Sequence, residues 1–358
     1  MRISFSELKK TLHESGESYR LLPIGDGWVL LVWEGRGRFY GPFDGEDSVG
    51  VLWTPSALAS AAAYRDFCGD GGWNVGGDRF WIAPEVPFFT KERARFNESY
   101  TVQPGVDPGD CHFAPSADHE LLLESGLEAE LFETDGKHKR FFVQRLLRPC
   151  RNPLRESRRF SELMDGVSFC GFTQEMLLED HSPEEPMELE IWDLCQVRDG
   201  GEFLVPYLGK ELEYVDYYAP SAGVVLSAAD GRAAVKVSSC AEHKVGFKAY
   251  QTFGRVGYLL PEDDGSFSFF VRNYRNAPSD RYIKEPSDRP GENGCSLFIY
   301  MNDTRGDGFA ELETTGETFG TDGRDCSRLT LDYWFFRGKA AALSPISEAL
   351  LGLRLRED

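Results

Sequence analysis

The stretch YRLLPIGDGWVLLVWEGRGRFYGPF, Tyr19 to Phe43, holds three short apolar runs parted by the glycine turns GDG and GRG. Brief runs rich in β-branched and aromatic residues and bounded by glycine read as hairpin strands, not as helix. The same texture extends along most of the chain. The runs HELLLES, LEAELFET, RFFVQRLLR, FTQEMLLE, MELEIWDLCQV, AGVVLSA, AAVKVSS, VGYLL, SFSFFVRNY, CSLFIYMN, FAELET and LTLDYWFF each read as a strand. So many short strands with little helical periodicity predict an all-β sandwich or barrel and argue against alternating βαβ units. Helices are expected only at the periphery. One falls within residues 1–17, where Phe5, Leu8 and Leu12 stand at helical spacing behind a serine cap and ahead of Gly16. Another is expected around LASAAAYRDF, and a third over 345–356. SDRYIKEPSDRPGENG, Ser279 to Gly294, reads as a loop inserted within a domain. With no fixed repeat and no low-complexity linker, residues 1–358 are expected to form one large β domain.

Charge narrows the partners. The chain has 39 basic against 59 acidic residues, a formal net charge of −20, and such a field repels phosphate backbones, so no nucleic acid partner is expected. No apolar run approaches the ~20 residues that span a bilayer, so no membrane association is expected. The opening MRISFSELKKTLHESGESYR has no apolar segment followed by small residues, and a cytoplasmic location is the expectation. The eight cysteines form no C-x-x-C pair and the six histidines show no metal-binding spacing, so neither a local zinc site nor a disulfide framework is expected. The chain lacks a P-loop, a G-x-G-x-x-G after a strand and a G-x-S-x-G elbow, and no cofactor is implied. The arginine-rich run Lys137 to Phe160 reads as a solvated strand face followed by an exposed connection. Nothing in the sequence assigns an oligomeric state.

Three segments can carry chemistry. In WNVGGDRFWIAPE, Trp73 to Glu85, Gly76 and Gly77 permit positive φ and close backbone approach, while Pro84 discourages helix just before Glu85; a shaped loop or strand end is expected. Arg79 can grip a hydroxyl or carboxylate with its planar fork of donors, and Trp81 can offer an aromatic face to the C–H side of a sugar ring. That set suits a polyol. In YMNDTRGDGFAELETTG, Tyr300 to Gly316, a strand over FAELET puts Phe309, Glu311 and Glu313 on one face, with the two carboxylates roughly 6–7 Å apart along it. Neighbouring carboxylates in a partly desolvated groove disfavour joint ionisation, which raises one of them toward general acid or base values. Asp303, Asp307 and Gly308 suggest a calcium loop. Counted from Asp303, however, Arg305 and Thr314 stand where an oxygen ligand and a bidentate Glu belong, so that motif is rejected and no metal is assigned. In the third segment, Glu175 to Val197, alternation through Met187, Leu189 and Ile191 breaks at Trp192 and Leu194, which predicts a bulge or burial on both faces. Trp192 reads as core or, with Asp193, as aimed into a groove.

Taken in order, WVLLVWEGRGRFYGPF, GGDRFWIAPE, RFFVQRLLR, the strand ending IWDLCQV, YMND and FAELE resemble a bacterial branch of the galactose-mutarotase-like β-supersandwich superfamily. The resemblance covers most of the chain and implies a concave groove for a mono- or oligosaccharide. In mutarotases and related hexose epimerases, a carboxylate on a late strand acts as base on the anomeric hydroxyl and histidines assist at the ring oxygen. On that pattern FAELET is the late strand, Glu313 is the base with Glu311 the alternative if the register slips by two, and Arg79 is the sugar-contacting arginine. Trp81, Glu85, Asp78, Trp192, Asp193 and Asn302 complete the expected substrate contacts. Two departures stand out: Val75 occupies the place where a His often precedes the paired glycines, and Trp192 and Asp193 the place of a second His. The resemblance therefore leaves open an aldose epimerase or mutarotase variant built on carboxylates and a non-catalytic saccharide-binding or scaffold protein. A polysaccharide lyase or hydrolase accessory role is a third reading.

Overall fold

The structure is a computed structural model that describes residues 2–25, 27–132, 134, 136–182, 185–238, 241–302, 307–321 and 323–356. Its strands, in chain order, are β1 (Tyr19–Gly25), β2 (Trp28–Trp33), β3 (Arg38–Phe43), β4 (Asp78–Ala83), β5 (Asp110–Ala114), β6 (Leu121–Leu131), β7 (Lys137–Pro149), β8 (Ser168–Asp180), β9 (Glu190–Arg198) and β10 (Glu202–Pro206). They continue with β11 (Tyr214–Asp216), β12 (Leu226–Ala229), β13 (Arg232–Lys236), β14 (His243–Lys248), β15 (Arg255–Pro261), β16 (Phe267–Tyr274), β17 (Cys295–Met301), β18 (Phe309–Thr315) and β19 (Cys326–Gly338). The first sheet runs β1-β2-β3-β4-β9-β18-β17-β14-β11, and the second β12-β13-β10-β15-β16-β19-β8-β7-β6-β5. The chain thus forms the expected all-β supersandwich, two large antiparallel sheets with a few short helices outside them.

Period-two alternation builds the core. Ile82, Leu312 and Ile299 from the first sheet meet Phe172, Leu178 and Leu331 from the second, each nearly or wholly buried. Full burial of such a side chain contributes about 1.5–3 kcal/mol. The outer faces are covered unevenly. Helix α1 (Phe5–Glu14) and helix α2 (Ala61–Gly69) pack Leu8, Leu12 and Tyr64 on Leu31, Trp33 and Tyr40 at one end of the first sheet. Three short helices follow, α3 (Glu85–Phe89), α4 (Phe96–Ser99) and α5 (Phe160–Leu163), before α6 (Ala340–Leu351) lays Leu343, Ile346 and Leu350 on the back of the second sheet. This leaves the outer face of β4, β9, β18, β17 and β14 without a long helix over it. Among the described residues no helix is long and apolar enough to cross a membrane.

Several expectations need correction. The Gly-Gly segment is a loop that runs straight into a strand: Trp73 to Gly77 are irregular, with Gly76 and Gly77 at φ of +82° and +70°, and six unanticipated residues of central strand follow as β4. A Cβ at Gly76 would lie 2.5 Å from the Trp53 carbonyl oxygen and one at Gly77 2.6 Å from that of Phe39, so backbone crowding, not a ligand, accounts for the glycines. The C-terminal helix starts five residues earlier than expected, because the alanines before Pro345 are strong helix formers, and it stops at the left-handed Gly352. The N-terminal helix is confined to Phe5–Glu14, its start fixed by the reciprocal Ser4 and Glu7 capping bonds. HELLLES and LEAELFET form one strand, β6, through Gly126. β9 is buried on both faces and pairs with β4 and β18 without a register shift, so of the two predictions for that segment burial applies and the bulge does not. The arginine-rich run alternates as a strand, yet Lys139 and Arg145 on it are buried, paired with Asp180 and Asp78 at 2.5 and 2.6 Å.

Candidate functional site

Neighbouring strands of the first sheet supply the floor of the site. Register sets Arg79 beside Leu194 and Gln196 beside Glu311, and then Glu311 level with Tyr300 and Tyr300 with Lys244. Side chains on a strand alternate between faces. Arg79, Trp81, Trp192, Gln196 and Glu311 therefore point away from the second sheet, and their neighbours Asp78, Asp193 and Leu312 point into the space between the sheets. A cavity of about 520 Å³ lies over the outer face, with Trp73, Asn74, Tyr100, Tyr218 and Glu242 in its walls. Of the residues expected to contact substrate, Arg79, Trp81, Glu85, Trp192, Asn302 and Glu311 line it. Glu85, at the start of α3, also borders a second hollow of about 280 Å³. Among the described residues no histidine lines the larger cavity.

The structure puts Asp78 and Asp193 elsewhere. Both are fully buried between the sheets, where Arg272 bridges them at 3.2 and 2.6 Å, Arg145 reaches Asp78 at 2.6 Å, and Tyr333 donates to Asp78 at 2.6 Å. Gln174 closes the network by donating to Asp193 at 3.0 Å and accepting from Arg145 at 2.8 Å. A one-residue offset on β4 and on β9 puts them on the wrong face for a groove.

Glu313 shares its face with Glu311 but not its depth. It has no solvent exposure and lies under Trp192, whose indole N–H donates to its Oε2 at 2.9 Å, and under two lysines. Lys244 Nζ is 2.9 Å from Glu313 Oε1, and Lys284 Nζ is 3.5 Å from Oε2. Lys284 also reaches Glu85 Oε2 at 2.9 Å and sits 3.3 Å over the Trp192 ring. Two carboxylates and two ammonium groups thus share one buried cluster at the edge of the cavity. Burial pushes the Glu85 carboxyl up, but Lys284, Lys244 and the hydrogen bonds from Lys284 and Tyr100 outweigh it and hold it at about 2. Burial and the neighbouring Lys244 ammonium bring Lys284 down to about 8 against the pull of Glu85 and Glu313.

Glu311 is the carboxylate that borders the cavity. Its Oε1 accepts from Arg79 at 2.8 Å and from Gln196 at 2.7 Å; among the described residues no protein donor takes Oε2. Burial holds its carboxyl above the ordinary value, with Arg79 opposing and Glu313 adding to the rise. Arg79 is oriented by Asn74, which accepts from its other terminal nitrogen at 3.3 Å, while its buried Nε has no partner among the described residues. Trp81 does not offer a ring face to a ligand: the Arg79 guanidinium covers it at 4.2 Å and Phe89 stacks on it at 4.3 Å, with its N–H given to Asp107. The half-buried Trp73 also lines the cavity, with the Arg79 guanidinium 5.1 Å from its ring centroid.

Sequence reading missed Lys244, Lys284, Gln196, Tyr218, Glu242 and Tyr300. A signal existed for Lys244, since HKVGFK alternates with Val245 and Phe247 inward. Lys284 comes from the loop 279–294, which has no periodicity to read. Of the aspartates considered for a cation, Asp303 lies outside the described residues, and Asp307 accepts from the Ser56 backbone N–H and hydroxyl at 2.8 and 2.7 Å.

No family model matches the chain, and no curated protein matches it. Solved structures do. A Klebsiella pneumoniae protein named as an aldose 1-epimerase aligns over 100% of this chain and 92% of its own, with a TM-score of 0.51 and 11% identity. A C. elegans GalM/aldose epimerase homologue aligns over 90% of this chain and 99% of its own, with a TM-score of 0.42 and 9% identity. Only the first is similar enough in shape to carry an argument, and at such identity the argument concerns fold alone. Its agreement over the full length of this chain, together with the two antiparallel sheets, shows that the chain has the galactose-mutarotase-like fold.

Proposed function

We propose that the cavity binds a saccharide and that Glu311 acts there as general base on the anomeric hydroxyl, which makes the protein a carbohydrate epimerase or mutarotase variant. The observation that carries this reading is the state of Glu311 itself: one oxygen fixed by Arg79 and Gln196, the other without a protein donor among the described residues, on a residue that lines a cavity of about 520 Å³. A raised carboxyl accepts a proton at neutral pH more readily than an ordinary one, and fixing one oxygen holds the other in place for the transfer. Arg79 and Asn74 supply hydroxyl-binding groups, and Trp73 and Tyr218 apolar surface for the C–H faces of a pyranose. The aldose 1-epimerase name of the Klebsiella protein supports the reaction class. Glu313, sealed under Trp192 and the lysines, acts on the site through its charge.

A second reading, saccharide binding without turnover, is favoured by one observation: among the described residues no imidazole lines the cavity to assist at the ring oxygen. Magnetisation-exchange NMR over a panel of aldoses, with binding followed by saturation transfer, separates the two. Wild type is expected to speed anomer exchange and Glu311→Gln to slow it roughly 10²–10⁴-fold. Equal exchange in both proteins removes Glu311 as the base. Binding without exchange establishes the second reading, and no binding removes both.

A further inference from the structure

Among the described residues the charges around the cavity are balanced everywhere but at one point. Both cations that line it are already committed, Arg79 to Glu311 at 2.8 Å and Lys244 to Glu313 at 2.9 Å. Glu242, immediately before β14, lines the same wall, and its Oε1 accepts from the Tyr300 hydroxyl at 3.0 Å. Among the described residues no cation pairs with it. Glu242 stands two residues from Lys244, so strand alternation puts both on the cavity side. Tyr300 and Tyr218 are half-buried beside it, with ring centroids 6.1 Å apart and planes at 66°. Burial raises both phenols, and the neighbouring carboxylates that act on them, Glu85 and Glu242 for Tyr218 and Glu242 and Glu311 for Tyr300, raise them further. This corner of the cavity is aromatic and negative, and an anionic substituent placed there would meet repulsion with neither nearby cation free. A protonated amine would meet a carboxylate and two aromatic rings, a combination that attracts cations, while the Lys244 ammonium 6.0 Å from the Tyr300 centroid is paired with Glu313.

We propose that Glu242, Tyr218 and Tyr300 form a subsite for a protonated amine, so that the saccharide taken by this cavity is an amino sugar in preference to a sugar phosphate or a uronate. The proposal rests on the saccharide reading above and adds the substituent. It is tested by calorimetric titration of glucosamine, galactosamine, their N-acetyl forms, glucose and glucose 6-phosphate into wild type and Glu242→Gln, at a weakly acidic pH where the free amines are protonated. Wild type is expected to bind one of the amino sugars at least roughly tenfold more tightly than its N-acetyl form and than glucose, to reject the phosphate, and to lose part of the preference as salt is raised. Glu242→Gln is expected to abolish the preference, with thermal unfolding confirming that the variant is folded. Equal affinity of wild type for charged and uncharged sugars overturns the subsite and leaves the saccharide reading standing. A preference that survives in Glu242→Gln also overturns it. If none of these sugars binds, the saccharide reading falls and the subsite with it.

Discussion

Trp192 serves two neighbours with one ring, its face to Lys284 Nζ at 3.3 Å and its N–H to Glu313 Oε2 at 2.9 Å. Trp192→Phe keeps a ring near the ammonium and deletes the donor, leaving a buried carboxylate short of a hydrogen bond. The expected cost is about 1–3 kcal/mol of unfolding free energy, read from urea denaturation; a loss below about 0.5 kcal/mol, the range of ordinary surface changes, would show that the lysines alone satisfy Glu313. At this scale the sequence was partly legible. Alternation in FAELET put Glu311 and Glu313 on one face, and the turn ahead of β4 made Arg79 conspicuous. Which glutamate meets the cavity was hidden, because the cover over Glu313 includes Lys284, which comes from an aperiodic loop more than twenty residues before β18. Trp81 was conspicuous for the wrong reason. Its bulk fills a stack with Phe89, and sequence cannot tell a stacked tryptophan from an offered one.

β9 shows what one strand can hold on its two faces. Outward it carries Trp192 and Leu194 to the cavity and Gln196 to Glu311; inward it carries Asp193 to Arg272, at 2.6 Å in a site with no solvent exposure. Arg272 is the hub, since Asp78, the Tyr333 hydroxyl and the Leu312 carbonyl also accept from it. Arg272→Met leaves Asp193 without an ion-pair partner and is expected to cost about 3–5 kcal/mol by chemical denaturation. A variant as stable as wild type would show that the Gln174 and Tyr333 hydrogen bonds satisfy Asp193 without the guanidinium. Strands with strong apolar runs, such as β16 and β19, were plain in the sequence. Those that were missed, β5, β10, β11 and β14, are short or carry charged residues on one side. β4 was read as a loop or strand end because glycine and proline bracket it, although its six residues pair along their length with β9.

The whole molecule couples its stability to pH through carboxyls displaced in opposite directions. Burial pushes Glu190 up to about 8 from an ordinary 4.5, against the hydrogen bonds that Thr318 and the Ile283 backbone give its Oε1. Between those two pH values the native chain holds a proton there that the unfolded chain has released, so unfolding free energy falls as pH rises and the contribution is lost by about 8. Glu85, held at about 2, works the other way: its contribution is present above 4.5 and is lost as pH falls toward 2. Thermal unfolding is therefore expected at a higher temperature near pH 5 than near pH 8, and Glu190→Gln is expected to flatten that alkaline slope. An unchanged slope would assign it to other groups. The overall architecture was the most legible level of all, because glycine-parted runs recur from Tyr19 to the C-terminal strand, whereas the two aspartates bound to Arg272 gave no local sign of their burial. Glu85 belongs to the walls of both hollows, the larger about 520 Å³ and the smaller about 280 Å³. One side chain therefore serves as a party wall, and a substitution at Glu85 would reshape both compartments at once.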